Sequence, residues 1–333
     1  MAERGIDDFA AALVRVAAQR GDPELAAIAA GLTAPLRVAV RAGRRGVGRA
    51  TVARALAAAG LTVTVGNDAE LVVYVLAEVV KPEDGAAVRA LADPVLAVLN
   101  KVDLGGGAPI AEVARRLGVP AQPMAGLLAL AAGHREFDRE LWPALQALAR
   151  YDADFGSAER FVAGPHPVPP TVRLRLCQAL DLPATSAAVA AVRCDRTPAQ
   201  VRAMLRRLSR VEAVLRAVDR VGATARYRRL CRAMTRLAAL AVSDDRISGL
   251  LRCRDTVLAR MAAAAGVLQA DGLPVARHGD PAALLAEAAL WQRYRGGPVN
   301  AVYGCCAADV VRGSLLLWSM GCGGDGSRGA PGW

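Results

Sequence analysis

The sequence predicts an α/β fold in its first part, a mostly parallel sheet with helices on both faces, followed by an α-helical second part. Three observations carry this expectation. Up to about residue 133, strand-length apolar runs alternate with helix-length segments. A glycine-rich turn directly follows the first of those runs and opens onto a helix. From about His134 to Leu290 the strand pattern stops, and long helical windows broken by Pro and Gly replace it, notably at a linker-like stretch from Gly164 to Pro170.

The elements follow in order. Ile6 to Gln19 carries apolar residues at helical spacing, and Asp22-Pro23-Glu24 opens a second helix ending near Gly31. Pro35 interrupts, and Leu36 to Val40 reads as a buried strand. The turn from Gly43 to Gly48 leads into a helix from Arg49 to Ala59, which Gly60 closes. Leu61 to Val65 is β-branched and alternating, and Leu71 to Leu76 is apolar throughout, as a strand buried on both faces must be. Pro82-Glu83-Asp84 starts a helix, Pro94 to Leu99 is a further apolar strand, and Asp103 to Gly107 is a turn. Ile110 to Leu117 is helical and Ala121 to Met124 a last short strand. The chain thus divides into two helices (1–33), the sheet region (34–133), a helical region (134–320) and a Gly-rich tail (321–333) expected to be disordered.

Composition narrows the function classes. Hydrophobic residues make up 54% but aromatics only 4%, so the cores must be built from Ala, Val and Leu. The seven cysteines include no C-x-x-C pair, and of the three histidines (134, 166 and 278) His134 and His278 sit beside Gly in expected turns with no Asp or Cys at ligand spacing. Neither a zinc site nor a disulfide framework is expected, and reduced thiols suit a cytoplasmic chain. The first eleven residues contain four charges and no apolar run, unlike a signal peptide. No uninterrupted apolar stretch has membrane-spanning length; the nearest, Val299 to Met320, carries Asp309 and Arg312. The formal charge of +11 comes from a chain in which all basic residues except Lys81 and Lys101 are Arg. GC-rich codon usage accounts for part of that bias, so the charge alone does not name a polyanionic partner.

Two motifs carry chemistry. Asn100-Lys101-Val102-Asp103 follows a buried strand, at the sheet edge where α/β folds bind ligands. A carboxylate at Asp103 can accept two parallel hydrogen bonds from guanine's N1–H and 2-amino group, the Asn100 amide can address the O6/N7 side, and the Lys101 stem can lie over the ring. The plain alternative is a polar turn that closes a strand. The second motif, Gly43 to Thr51, reads as G-x-x-x-x-G-K-[ST] with Arg49 at the Lys position and Ala50 at the Ser/Thr position. Backbone N–H groups around Gly46, Val47, Gly48, Arg49 and Ala50 can cradle phosphates at a helix N-terminus, but Ala50 has no hydroxyl for Mg²⁺ and Thr51 comes one residue late. Arg49 brings charge, although its planar fork is no substitute for a compact ammonium inside the loop. The alternative here is a connecting glycine turn. No D-x-x-G segment or switch threonine fits between Gly60 and Asp68, so the hydrolytic parts are missing. Together the motifs describe a P-loop G domain with a truncated switch region and an α-helical bundle or stalk behind it.

Thr33 to Leu56 resembles the opening of the bacterial dynamin-like GTPases, including the mycobacterial isoniazid-inducible type, and the likeness continues through Leu71 to Leu76 and Val98 to Leu104. Pro123-Met124-Ala125-Gly126-Leu127 stands where that family has its base-contact loop, with Met124 in place of Ser. Weaker similarity reaches about Leu240, through Thr197-Pro198-Ala199 and Ser209 to Leu215. The resemblance implies a G domain joined to a helical stalk, with the leading helices packed back onto it. It also implies nucleotide-linked pairing with itself or with an intact dynamin-like GTPase, and work at a membrane. It assigns guanine contacts to Asn100, Lys101, Asp103 and Ala125, and phosphate contacts to Gly43 through Thr51.

The expectation is therefore a hydrolysis-deficient pseudo-GTPase that binds GTP or GDP, with Mg²⁺ in doubt. It would be cytoplasmic, peripheral at the inner membrane face if it meets membrane at all. The rivals are a slow active GTPase and a helical scaffold that no longer binds nucleotide. Arg226, Arg228, Arg229, Arg232 and Arg236 crowd one helix, either as a surface for anionic lipid or an acidic partner, or as an ordinary solvated face. Nucleic acid is not expected, since aromatic interleaving is lacking.

Overall fold

A computed structural model describes residues 2–66, 68–105, 107–133, 137–276 and 280–322. His134, His278 and the tail beyond residue 322 lie outside the described residues. Two helices lead, α1 (Ala2–Arg20) and α2 (Pro23–Thr33). The α/β part follows as β1 (Arg37–Arg41), α3 (Arg49–Ala58), β2 (Thr62–Thr64), β3 (Leu71–Ala77), α4 (Pro82–Arg89), β4 (Val95–Asn100), α5 (Ile110–Leu117), β5 (Ala121–Met124) and α6 (Gly126–Gly133). The rest of the described chain is helical: α7 (Trp142–Ala149), α8 (Ala158–Ala163), α9 (Pro170–Leu180), α10 (Leu182–Arg193), α11 (Pro198–Ser209), α12 (Val211–Leu240), α13 (Asp245–Arg252), α14 (Arg254–Ala270), α15 (Pro281–Arg295) and α16 (Ala301–Cys322).

The five strands form one sheet in the order β2-β1-β3-β4-β5, and every pairing is parallel. All seven residues of β3 and all six of β4 are buried, which explains their unbroken apolar sequence. On one face Val72, Tyr74 and Leu76 pack with Val88 of α4 and Val113 and Leu117 of α5. α3 packs against β1 and against α6.

Contacts divide the chain into two compact units, Leu36–Asp219 and a second made of Met1–Pro35 with the chain from Arg220 onward. The sequence pattern changes at residue 134, yet the sheet's unit runs on to Asp219. The reason is packing: Leu128 of α6 shares a core with Leu145 of α7, Phe161 of α8, Leu176 of α9, Ala188 of α10 and Leu205 of α11. The stretch 164–170 is no domain linker either. Arg173, buried in α9, donates to the carbonyls of Phe161 and, at 2.8 Å, of Gly164, and so fastens both ends of the preceding turn.

In the other unit, Phe9 and Leu13 of α1 and Leu25 of α2 join Leu237 of α12, Leu268 of α14 and Val310 of α16 in one core. Its buried polar centre is Asp309, which accepts from Tyr227 (2.8 Å) and pairs with Arg260 (2.7 Å). Burial and then the Asp309 charge push the Tyr227 hydroxyl far above the ordinary phenol range, so it stays a donor. Among the described residues, α16 is the one helix long and apolar enough to cross a membrane by length and composition. The adjacent cysteines behave differently from one another: Cys306 is buried and Cys305 exposed, because neighbouring helix positions face different sides.

Candidate ligand crevice at the sheet edge

From β1 the chain steps to one side to form β2 and then returns to the other side for β3, so the strand order reverses at β1. In open parallel sheets such a point leaves a crevice beyond the carboxyl ends of the strands. The turn at residues 42–48 sits there. Gly46 and Gly48 have φ of +82° and +85°, a left-handed conformation that side chains resist. Gly48 caps α3, and Val47 between the two glycines is buried.

Asn100, the last residue of β4, is 4% exposed and holds this turn. Its Nδ2 donates to the Val47 carbonyl at 2.9 Å, and its Oδ1 accepts from the Gly126 N–H at 2.9 Å. One side chain thus fastens the glycine turn to the first residue of α6. A Cβ on Gly48 would collide with the amide, and one on Gly126 would come within 2.8 Å of Oδ1. These bonds use one of the two amide hydrogens.

Two further supports escaped the sequence reading. Tyr74 lies in β3 with its hydroxyl donating to Asp84 Oδ1 at 2.9 Å, both groups buried, and the Gly43 backbone N–H bears on the same hydroxyl. Burial first, and then Asp84, push the Tyr74 pKa up to about 12. Asp84 also accepts from the Lys81 N–H at 3.0 Å, which fixes the start of α4. Arg44 in turn donates to the carbonyl of Ala77 at 2.6 Å, tying the turn to the end of β3. The sequence signal for Tyr74 was a lone polar-tipped residue in an aliphatic strand.

The remaining candidates fall into two groups. Arg49 and Ala50 are exposed at the start of α3, and Thr51 is half-buried. Lys101 is exposed and left-handed (φ 64°), a conformation that turns the chain sharply after β4. Ala125 is different: it is 1% exposed and its N–H donates to the Ser209 carbonyl at 3.0 Å, so the helical layer already holds it. Asp103 is half-buried, and its carboxyl lies within hydrogen-bonding reach of Asp181, at the cap of α10. Burial, and next this contact, raise the Asp181 pKa to about 7.

Arg226, Arg228, Arg229, Arg232 and Arg236 of α12 belong to the other unit. Arg229 donates to the Ala34 carbonyl (2.5 Å) and Arg236 pairs with Glu24 (3.0 Å), so both stitch α12 to the end and start of α2, and these five arginines do not form a uniformly solvent-facing surface. Arg232 is exposed, and Arg226 and Arg228 are half-buried. His166 accepts from the Val168 N–H at 3.0 Å as a turn residue. No group of three metal-ligating side chains occurs among the described residues.

What the fold and crevice define is an open, parallel α/β unit with a glycine turn at its strand-order reversal. No protein-family profile, curated protein or solved structure matches the chain.

Proposed function

We propose that the 36–219 unit is a guanine-nucleotide-binding, hydrolysis-deficient P-loop module, a pseudo-GTPase of the dynamin-like kind that acts through binding. The observation that carries this reading is the two-ended hydrogen bonding of Asn100. A nucleotide pocket needs its phosphate turn and its base-side loop at a fixed separation, and Asn100 ties those two segments together. Phosphates would lie on the N–H groups at the start of α3, with Arg49 neutralising charge. The residues present do not fit Mg²⁺: Ala50 offers no oxygen, Thr51 is half-buried, and the segment between Gly60 and Asp68 supplies no switch. Hydrolysis therefore has no assigned residues.

Calorimetric titration with GDP and GTP, with and without Mg²⁺, tests the reading, with ATP as control. Guanine-selective, metal-indifferent binding that Asp103→Ala abolishes is the expected result. Absence of binding at millimolar nucleotide, both at neutral pH and near pH 8.5, would sink it. A second reading is favoured by one observation, the Ala125 N–H bonded to Ser209. On that reading the crevice is filled by the chain's own helices and the protein is a scaffold. The partner that the resemblance implies, an intact GTPase of the same family, is tested by co-purification from the native host.

A further inference from the structure

Resting on the nucleotide reading, we propose that the helical layer of the 36–219 unit shuts the base side of the crevice, and that the Asp103–Asp181 carboxyl pair is the latch that opens it. Guanine would require the Asp103 carboxylate and the Ala125 N–H. Each is occupied from the helical layer, the first by Asp181 at the cap of α10, the second by Ser209 at the end of α11. The two contacts stand at the start of α10 and at the end of α11.

The latch has an unusual construction. Oδ1 of Asp103 and Oδ2 of Asp181 are both sealed from solvent, and no group outside the pair donates to either. Two carboxyl groups left so within hydrogen-bonding reach of one another are satisfied by one proton held between them. Asp181 also sits at φ 65°, ψ 176°, a backbone region that is essentially glycine's alone. A side chain persists there when its surroundings over-determine it, and here the carboxyl does so. Its other oxygen accepts from the Ala184 N–H at 2.8 Å, and the Asp181 carbonyl accepts from the Thr185 hydroxyl.

The titratable groups that bear on Asp181 are Asp103, on the turn after β4, and Cys177 of α9, whose thiol is pushed up by burial and then by the Asp181 charge. Below about pH 7 the Asp181 carboxyl holds its proton and the latch is closed. Above that point two carboxylates face one another and repel. Separation frees the Asp103 carboxyl to accept from the N1–H and 2-amino group of guanine. Guanine affinity should therefore rise with pH through about 7.

Asp181→Gly is the informative variant, because glycine suits the backbone, tolerates the cap position and removes the carboxyl. The full chain and this variant are titrated with GDP at intervals from about pH 5.5 to 8.5, and the protonated-carboxyl C=O band is followed by infrared. In the wild type, GDP affinity should climb across neutrality. Asp181→Gly should bind roughly tenfold more tightly near pH 6, with a flattened pH profile and no gain for ATP. The infrared band should be present in the wild type near pH 6 and missing from Asp181→Gly and Asp103→Asn. Equal GDP binding and identical pH profiles in both proteins would overturn the latch while leaving nucleotide binding intact. An infrared band with no GDP binding by either protein at any pH would overturn the nucleotide reading, and the gate with it.

Discussion

Asn100 does its work through two hydrogen bonds to backbone groups that water does not reach. Asn100→Ala would leave the Val47 carbonyl and the Gly126 N–H without partners, at about 1–3 kcal/mol for each group left buried and unpaired. The expected outcome is a clearly lowered thermal midpoint together with loss of nucleotide binding, measured by scanning calorimetry and titration. An unchanged midpoint would mean that the turn holds itself. Asp181 adds a pH dependence of known sign. Its carboxyl has a raised folded-state pKa, about 7 against an ordinary 3.8, so the folded state binds the proton more tightly than the unfolded chain. The stability it contributes is complete below about pH 4 and is lost as pH rises toward 7. Comparing melting curves of the wild type and Asp181→Gly across that window isolates this contribution.

The elements were largely legible in sequence. Ile110–Leu117 and Ala121–Met124 match the pattern residue for residue, and the other strands in the sheet region differ by a single position at one or both ends. Strands buried on both faces and helices started by Pro leave strong local marks. Helix-to-helix approach leaves almost none. α14 and α16 cross so closely that a Cβ on Gly313 would meet the Met261 side chain, a contact invisible in a helix that reads simply as apolar. Gly313→Ala is expected to destabilise the unit that holds α16 by about 1–3 kcal/mol, as overpacking does in tight cores. Exchange of backbone amides in α14 and α16, followed by mass spectrometry, would register it; unchanged protection would show that Met261 can move aside.

At the scale of the whole molecule, every residue of the crevice, including Asp181 and Ser209, belongs to the Leu36–Asp219 unit. The buried Tyr227–Asp309–Arg260 group belongs to the other. Tyr227→Phe removes a hydrogen bond to a buried carboxylate and should cost about 1–3 kcal/mol. It should leave GDP affinity unchanged below the melting temperature. A shifted affinity would reveal coupling to the crevice. The charge of +11 does not translate into a uniform basic surface, since Arg229 and Arg236 of α12 are engaged with α2.

By itself the sequence determined the parallel sheet, the glycine turn at its edge, the position of Asn100-Lys101-Val102-Asp103 at a strand end, and the lack of a metal-binding hydroxyl at residue 50. Each of these is written in local pattern: apolar runs, glycines, and residue types at fixed spacing. Tertiary structure decided which of those polar groups are engaged within the chain. Asp103 meets Asp181 and Ala125 meets Ser209 across about eighty residues of chain, and no local periodicity records a contact between segments so far apart. Packing of α6 with α9 and α11, in a core shared with α7, α8 and α10, brings them together, which is why the sheet's unit runs on to residue 219.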